Sequence, residues 1–306
     1  MAFRARPATA PRPTARPERA PILRRVSLND VTVATVGTGV MAGSMITGLL
    51  KARQVDADRL IASHPRAERR AELESTHGIR TTASNIKAVE GADVVVLGIK
   101  PQMLKRVGAE LAPVLRDGQL VISVIAGATT GALANVLRHE SLVRAMPNTP
   151  AQLGQGMTVW YATPAVTDPQ RTHAAALLSS LGHQLEVEDE KFVAMATAVS
   201  GTGPAYVFLV MEALIDAAVH LGFPRHVAHD LVIETLEGST SFAKASGMHP
   251  AQLRNMVTSP AGTSAAAIHE LEKGRLRTVL SEAVWAAFRR TEELGHELEE
   301  QTAQEP

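Results

Sequence analysis

The chain has 306 residues, with Lys+Arg 31 balanced by Asp+Glu 31, and it contains no cysteine. Such a length suits about two domains and buries a core without a disulfide or metal staple. Zero net charge excludes a globally basic nucleic-acid binder. The missing thiols exclude disulfides, thiol catalysis and Cys-based zinc sites.

Residues 1–25 hold seven arginines, five prolines and a single acid, Glu18. Proline at that density blocks helix and sheet, and little there can form a core. Residues 1–29 therefore read as a disordered tail. It has no continuous apolar run of the secretory kind, and its prolines spoil the amphipathic helix of a transit peptide. A cytoplasmic location is expected. No apolar run approaches the ~18 residues of a membrane span; the longest, around Tyr206 to Ile215, is interrupted by Glu212.

Ordered structure is predicted from Val31. The β-branched run Val31–Val36 reads as a buried first strand ending at Gly37-Thr-Gly39-Val-Met41-Ala42, with an apolar helix pattern through Leu50. Strand, glycine turn and helix in that order open a dinucleotide-binding unit. Gly37 permits the tight turn, Gly39 lets a pyrophosphate approach the backbone, and Ala42 or Gly43 lets the helix pack close. The helix N-terminus offers N–H groups to the phosphates.

Arg59–Ala62 reads as the second strand, ending at Ser63-His-Pro-Arg66. The acid that would hold the ribose 2′-hydroxyl of NAD is absent. Ser63, His64 and Arg66 offer donors to a 2′-phosphate instead, so NADPH is the expected cofactor, with NADH as the alternative. Further buried strands are predicted at Asp93–Leu97, ending at Gly98-Ile99-Lys100-Pro101, and at Leu120–Ile125, ending at Ala126-Gly127. Leu142–Arg144 follows, leading into Met146-Pro-Asn148-Thr-Pro150, and Met157–Tyr161 closes the series. Helical patterns lie between them. Residues 30–188 thus form an α/β Rossmann domain, doubly wound around a mainly parallel sheet. The glycine, proline and asparagine motifs sit at strand carboxyl ends, where such sheets bind ligands.

Beyond about residue 190 the strand signal stops. Pro204 and Pro224 read as helix starts, for helices reaching His220 and Ser246. Shorter helical patterns cover 250–257 and 264–272, and a longer one runs from Leu276 to Glu299. Residues 189–300 make an all-α domain whose long helices are apolar on more than one face. A subunit interface would cover them.

The motifs resemble those of pyrroline-5-carboxylate reductases over residues 31 to about 296. The resemblance rests on Gly37-x-Gly39-x-Met41, Ile99-Lys100-Pro101, Arg144-Ala-Met-Pro-Asn-Thr-Pro150, Ser200-Gly-Thr-Gly-Pro-Ala-Tyr206, and His249-Pro250 followed by Ser259-Pro-Ala-Gly-Thr-Ser264. It implies a Rossmann domain, a helical substrate-binding and dimerisation domain, and NAD(P)H-driven reduction of 1-pyrroline-5-carboxylate to L-proline, the last step of proline biosynthesis. It implies a homo-oligomer joined through the C-terminal helices, with no nucleic-acid, membrane or metal partner. By the same resemblance Gly37, Gly39, Val40, Met41, Ser63, Arg66, Asn85, Ile99, Lys100, Pro101, Ala126, Gly127 and Asn148 line the cofactor. Lys100 would shape that pocket with its backbone. The chain departs from the family at Gly98, commonly Ala, at Thr202, commonly Ser, and at Ala261 and Ser264, where the family has Gly and Thr.

The substrate so implied is a small imine carrying a carboxylate. Ser259, Thr263 and Ser264, beside the start of a helix, offer hydroxyls and N–H groups to it. An ordinary Ser/Thr cap is the alternative for these residues. Ser264 is expected to hydrogen-bond the ring nitrogen, and Thr202 to wall the nicotinamide side at a helix start. Two other functions fit the plan: a β-hydroxyacid-type dehydrogenase and a non-catalytic NADP-binding regulator. The first would need a catalytic lysine in the helical half, where only Lys191, Lys244 and Lys273 lie, none in a matching motif.

Overall fold

The computed structural model describes Leu28 and residues 30–303. The first half alternates strands and helices: β1 (Val33–Val36), α1 (Val40–Lys51), β2 (Leu60–Ser63), α2 (Ala67–His77), β3 (Arg80–Thr82), α3 (Asn85–Val89) and β4 (Val94–Leu97). It continues with α4 (Leu104–Leu111), β5 (Leu120–Ser123), α5 (Thr130–Leu137), β6 (Leu142–Met146), β7 (Gly156–Ala162), α6 (Asp168–Ser179) and β8 (Gly182–Glu186).

The eight strands form one sheet in the order β3-β2-β1-β4-β5-β6-β7-β8. All pairs are parallel except β6 with β7. The chain enters at β1, winds outward through β2 and β3, then returns to β4 and winds the other way. The doubly wound topology therefore switches direction between β1 and β4. The near-continuous apolar strands follow from burial on both faces. Along β1 and β4, Val33, Val94 and Val96 face the layer holding Met45, Ile46 and Leu49 of α1. Ala34, Val36, Val95 and Leu97 face the layer holding Leu104 of α4 and Leu133 of α5.

Two expectations need correction here. The strand series does not close at β7: β8 adds a parallel edge. It holds one large apolar residue, the exposed Leu185, so no apolar alternation marks it in the sequence. Pairing to β7 from Gly156↔Gly182 to Trp160↔Glu186 makes it a strand. Leu28 also does not belong to a disordered tail. Leu28 is 0% exposed in the core, and its N–H donates to the Gln54 carbonyl at 3.0 Å. Residues 1–27 and 29 lie outside the described residues.

The second half is helical: α7 (Lys191–Ala196), a π turn (Thr197–Gly201), α8 (Gly203–His220), α9 (Arg225–Ser246), α10 (Pro250–Met256), α11 (Thr263–Lys273) and α12 (Leu276–Ala303). As expected, α8 starts at Gly203 with Pro204 in its first turn, but it follows the π turn with no loop between them. Lys191–His220 is the one helix among the described residues long and apolar enough to cross a membrane. Reading Pro204 as a start hides that length in the sequence.

Among the described residues this half has no core cluster of its own. Helices α8, α10 and α11 contain no buried residue, and α9 buries only Ala228 and Val232. Phe208, Leu209, Leu231, Phe242 and Trp285 stand exposed. The end of α12 behaves differently. Leu298 joins the core layer beside α5, and Glu299 accepts from the Thr129 hydroxyl at 2.6 Å.

Candidate active site

The site begins at the β1–α1 turn. Gly37 has φ +79°, and a Cβ there would lie 2.4 Å from Ile99 Cγ2 and 3.0 Å from Ile99 N. Only glycine serves, because the loop after β4 presses directly on the turn. Gly98 is equally tight: a Cβ would come 2.7 Å from the Gly37 carbonyl. Gly39 is open, its nearest such neighbour being the Gly98 carbonyl at 3.8 Å. It is also the N-cap of α1, which carries no side-chain cap and no acid in its first turn. The first N–H groups of α1 thus face the crevice at the topological switch, beside exposed Val40 and half-buried Met41. This fits a pyrophosphate, since an uncapped N-terminus with room beside it seats an anion.

At the end of β2, the expected phosphate donors separate into different roles. Ser63 is 0% exposed, and its hydroxyl donates to Asn85 Oδ1 at 2.8 Å. Buried there, it fixes the orientation of the Asn85 amide. Asn85 Nδ2 donates onward to Glu110 at 2.9 Å. The Arg66 side chain is exposed at the loop, while its N–H donates to His64 Nδ1 at 3.2 Å. Burial and then the charge of Arg66 push the His64 pKa down. Arg69 and Arg70, which the sequence gives no role, fix this loop. Arg70 donates to the carbonyls of His64 and Pro65 at 2.8 and 2.9 Å. Arg69 reaches the Thr38 carbonyl at 3.4 Å and pairs with Glu72 at 2.7 Å.

Beyond β4, Ile99 packs on Gly37, Pro101 starts a short 3-10 turn, and the exposed Lys100 caps that turn with its backbone. At the end of β5, Ala126 is exposed. Gly127 is buried, with Leu294 Cβ 3.2 Å and Leu298 Cδ1 3.5 Å from where its own Cβ would stand. On its Cα side Gly127 is therefore packed against α12. The start of α5 is not free for an anion. Glu190 accepts from the Thr130 N–H at 2.8 Å and from the Thr130 hydroxyl.

Glu190 also pairs with Arg144 of β6 at 2.8 Å, the Arg144 side chain being 7% exposed. One carboxylate thus joins β6, α5 and the start of the helical half. The sequence signal for this link is a lone arginine inside an apolar strand. Asn148, expected to contact the cofactor, has its amide turned into the protein. Oδ1 accepts from the Met157 N–H at 2.9 Å and Nδ2 donates to the Ser200 carbonyl at 3.0 Å. Thr202 also spends its hydroxyl internally, donating to the Thr197 carbonyl at 3.0 Å.

The Ser259–Ser264 loop shows the opposite. The N-cap of α11 is Gly262, with no side-chain cap. The hydroxyls of Ser259, Thr263 and Ser264 make no hydrogen bond among the described residues. A capping role therefore does not explain them. Ala261 has φ +57°, the left-handed conformation that favours glycine. No hydrogen bond among the described residues joins this loop to the strand ends. The single chain thus presents two separate groups of expected site residues: the strand-end residues and the loop hydroxyls.

Fold and site define a dinucleotide-binding oxidoreductase of the Rossmann-plus-helices plan. Residues 190–294 match the family model for pyrroline-5-carboxylate reductase dimerisation. Residues 32–127 match the model for NADP oxidoreductase, coenzyme F420-dependent. The pyrroline-5-carboxylate reductase of Pseudomonas aeruginosa is 42% identical over 267 residues, covering 87% of this chain and 97% of that protein. The Pisum sativum enzyme of the same name is 40% identical over 266 residues, with 87% and 97% covered. The structure of a pyrroline-5-carboxylate reductase from Coxiella burnetii superposes with TM-score 0.82 at 35% identity, covering 87% of this chain and 99% of that one. The Plasmodium falciparum pyrroline carboxylate reductase with NADP bound gives TM-score 0.79 at 28% identity, covering 87% and 99%. The chain belongs to the pyrroline-5-carboxylate reductase family.

Proposed function

We propose that this protein reduces 1-pyrroline-5-carboxylate to L-proline with NADPH, the last step of proline biosynthesis, as a cytoplasmic homo-oligomer joined through its C-terminal helices. In this reading residues 30–188, with Leu28, hold the cofactor, and residues 189–300 hold the substrate and the partner subunit. The uncapped start of α1 and the loop at Gly37 and Gly39 take the pyrophosphate. Arg66, with Asn85 held by Ser63, takes the 2′-phosphate. The cofactor, when bound, supplies the hydride.

The observation that carries the substrate assignment is the uncapped start of α11. Three hydroxyls stand beside its free N–H groups with no partner among the described residues. That arrangement suits a carboxylate, which needs donors and positive potential. Ser264 hydrogen-bonds the ring nitrogen or the carboxylate. Its pKa lies far above neutral, so it orients the imine rather than protonating it. A protonated imine is already electrophilic, and the protein contributes mainly position and exclusion of water.

The test is NADPH consumption with pyrroline-5-carboxylate, set beside a panel of β-hydroxy acids run with NADP in the oxidative direction. Turnover of the imine alone supports the reading. Turnover of a hydroxy acid alone assigns the dehydrogenase activity instead, and NADPH binding without turnover assigns a regulator.

A further inference from the structure

In a continuous α-helix each carbonyl accepts from the N–H four residues on. The helix from Lys191 to His220 departs from this where it passes the sheet. In the π turn the Thr202 N–H reaches back five residues to the Thr197 carbonyl at 2.8 Å. The Ala198 carbonyl, deprived of that donor, accepts from the Tyr206 hydroxyl at 3.1 Å. Pro204 has no N–H, so the Ser200 carbonyl also lacks its intrahelical donor. A buried or half-buried carbonyl needs a replacement. The replacement is Asn148 Nδ2 at 3.0 Å.

The amide of Asn148 fits this place in one orientation only. Oδ1 faces the Met157 N–H at 2.9 Å, and a flipped amide would set donor against donor and acceptor against acceptor. Gly201 completes the contact: a Cβ there would stand 3.1 Å from Met146 Cε, at the end of β6. One side chain thus ties the π turn to the carboxyl edge of the sheet, where ligands of this fold bind.

We propose that Asn148 is a positioning residue for hydride transfer. It receives the carbonyl that Pro204 frees and holds the Thr197–Gly201 turn at the nicotinamide end of the crevice. This inference rests on the reductase reading above. It replaces the direct cofactor contact expected of Asn148 from the sequence.

The test compares Asn148→Ala, Asn148→Asp, Pro204→Ala and the double variant Asn148→Ala/Pro204→Ala in the full-length protein. Steady-state kinetics with pyrroline-5-carboxylate, NADPH affinity by fluorescence and thermal melting are read for each. Asn148→Ala should lower kcat by about tenfold, the scale of one lost neutral hydrogen bond, with NADPH Kd within about twofold. Pro204→Ala restores an N–H for the Ser200 carbonyl, so in that background the loss on removing Asn148 should shrink to about threefold or less. Asn148→Asp keeps the Met157 bond and replaces the donor to Ser200 by an oxygen that repels its carbonyl, so it should lower kcat at least as much; it carries the test if the alanine variant does not fold.

Unchanged kcat with a lowered Tm would make Asn148 a structural brace and overturn the proposal. A raised NADPH Kd with kcat intact would overturn it in favour of direct cofactor contact. An equal loss in both backgrounds would show that Asn148 does not act through the π turn. If the wild-type protein does not turn over the imine, the reductase reading fails, and this role fails with it.

Discussion

Ala261 occupies a backbone conformation that suits glycine, and replacing it should stabilise the protein. At φ +57° an L-residue pays a steric penalty of about 1–2 kcal/mol, because Cβ crowds the neighbouring carbonyl. Glycine removes that penalty but gains freedom in the unfolded chain, which returns roughly 0.5–1 kcal/mol. Ala261 is exposed, so no packing is lost with its methyl group. Ala261→Gly should therefore stabilise by about 0.5–1 kcal/mol, a rise of about 1–4 °C in Tm. Ala261→Val should move Tm the other way, since a β-branched residue is a true outlier in this region. Both melts must be run at one protein concentration, because association shifts apparent stability. If the two variants shift Tm in the same direction, the loop does not hold this conformation and the strain argument is wrong.

Three further outcomes follow from the site and the core. Ser264→Ala should lower kcat/KM for pyrroline-5-carboxylate by about tenfold, or about 1.4 kcal/mol, with NADPH affinity unchanged; normal kcat/KM would remove Ser264 from the substrate site. Arg66→Glu should weaken NADPH by about 1.5–3 kcal/mol relative to NADH, and parallel movement of both KM values would make Arg66 a surface arginine without a ligand role. Deleting residues 1–27 should leave stability and kinetics within about twofold. Leu28→Ala should cost about 2–5 kcal/mol, the range for a fully buried leucine, and equal melting of the two proteins would show that Leu28 does not pack in the core.

The sequence by itself determined the doubly wound half. Its strands are buried on both faces and read as apolar runs, and Gly37 stands where only a side-chain-free residue can pass Ile99. It also marked the helices, whose period is local, and the hydroxyl-rich loop before α11. Edge strand β8 was not legible, because it carries a single large apolar residue, Leu185, and partnership with β7 makes it a strand. Neither was the membership of Leu28 in the core, since a lone leucine next to an Arg/Pro-rich stretch has no pattern around it. The hydrogen-bond partners and packing of Ser63, Asn148 and Gly127 were also decided by the tertiary structure. Each sits at a strand end, as its motif implies, yet burial, an amide bridge and the end of α12 turn them toward the protein. Local sequence fixes where a residue falls along the chain. Whether its polar atoms remain free for a ligand depends on elements arriving from far away, such as Ser200 reaching Asn148 across 52 positions.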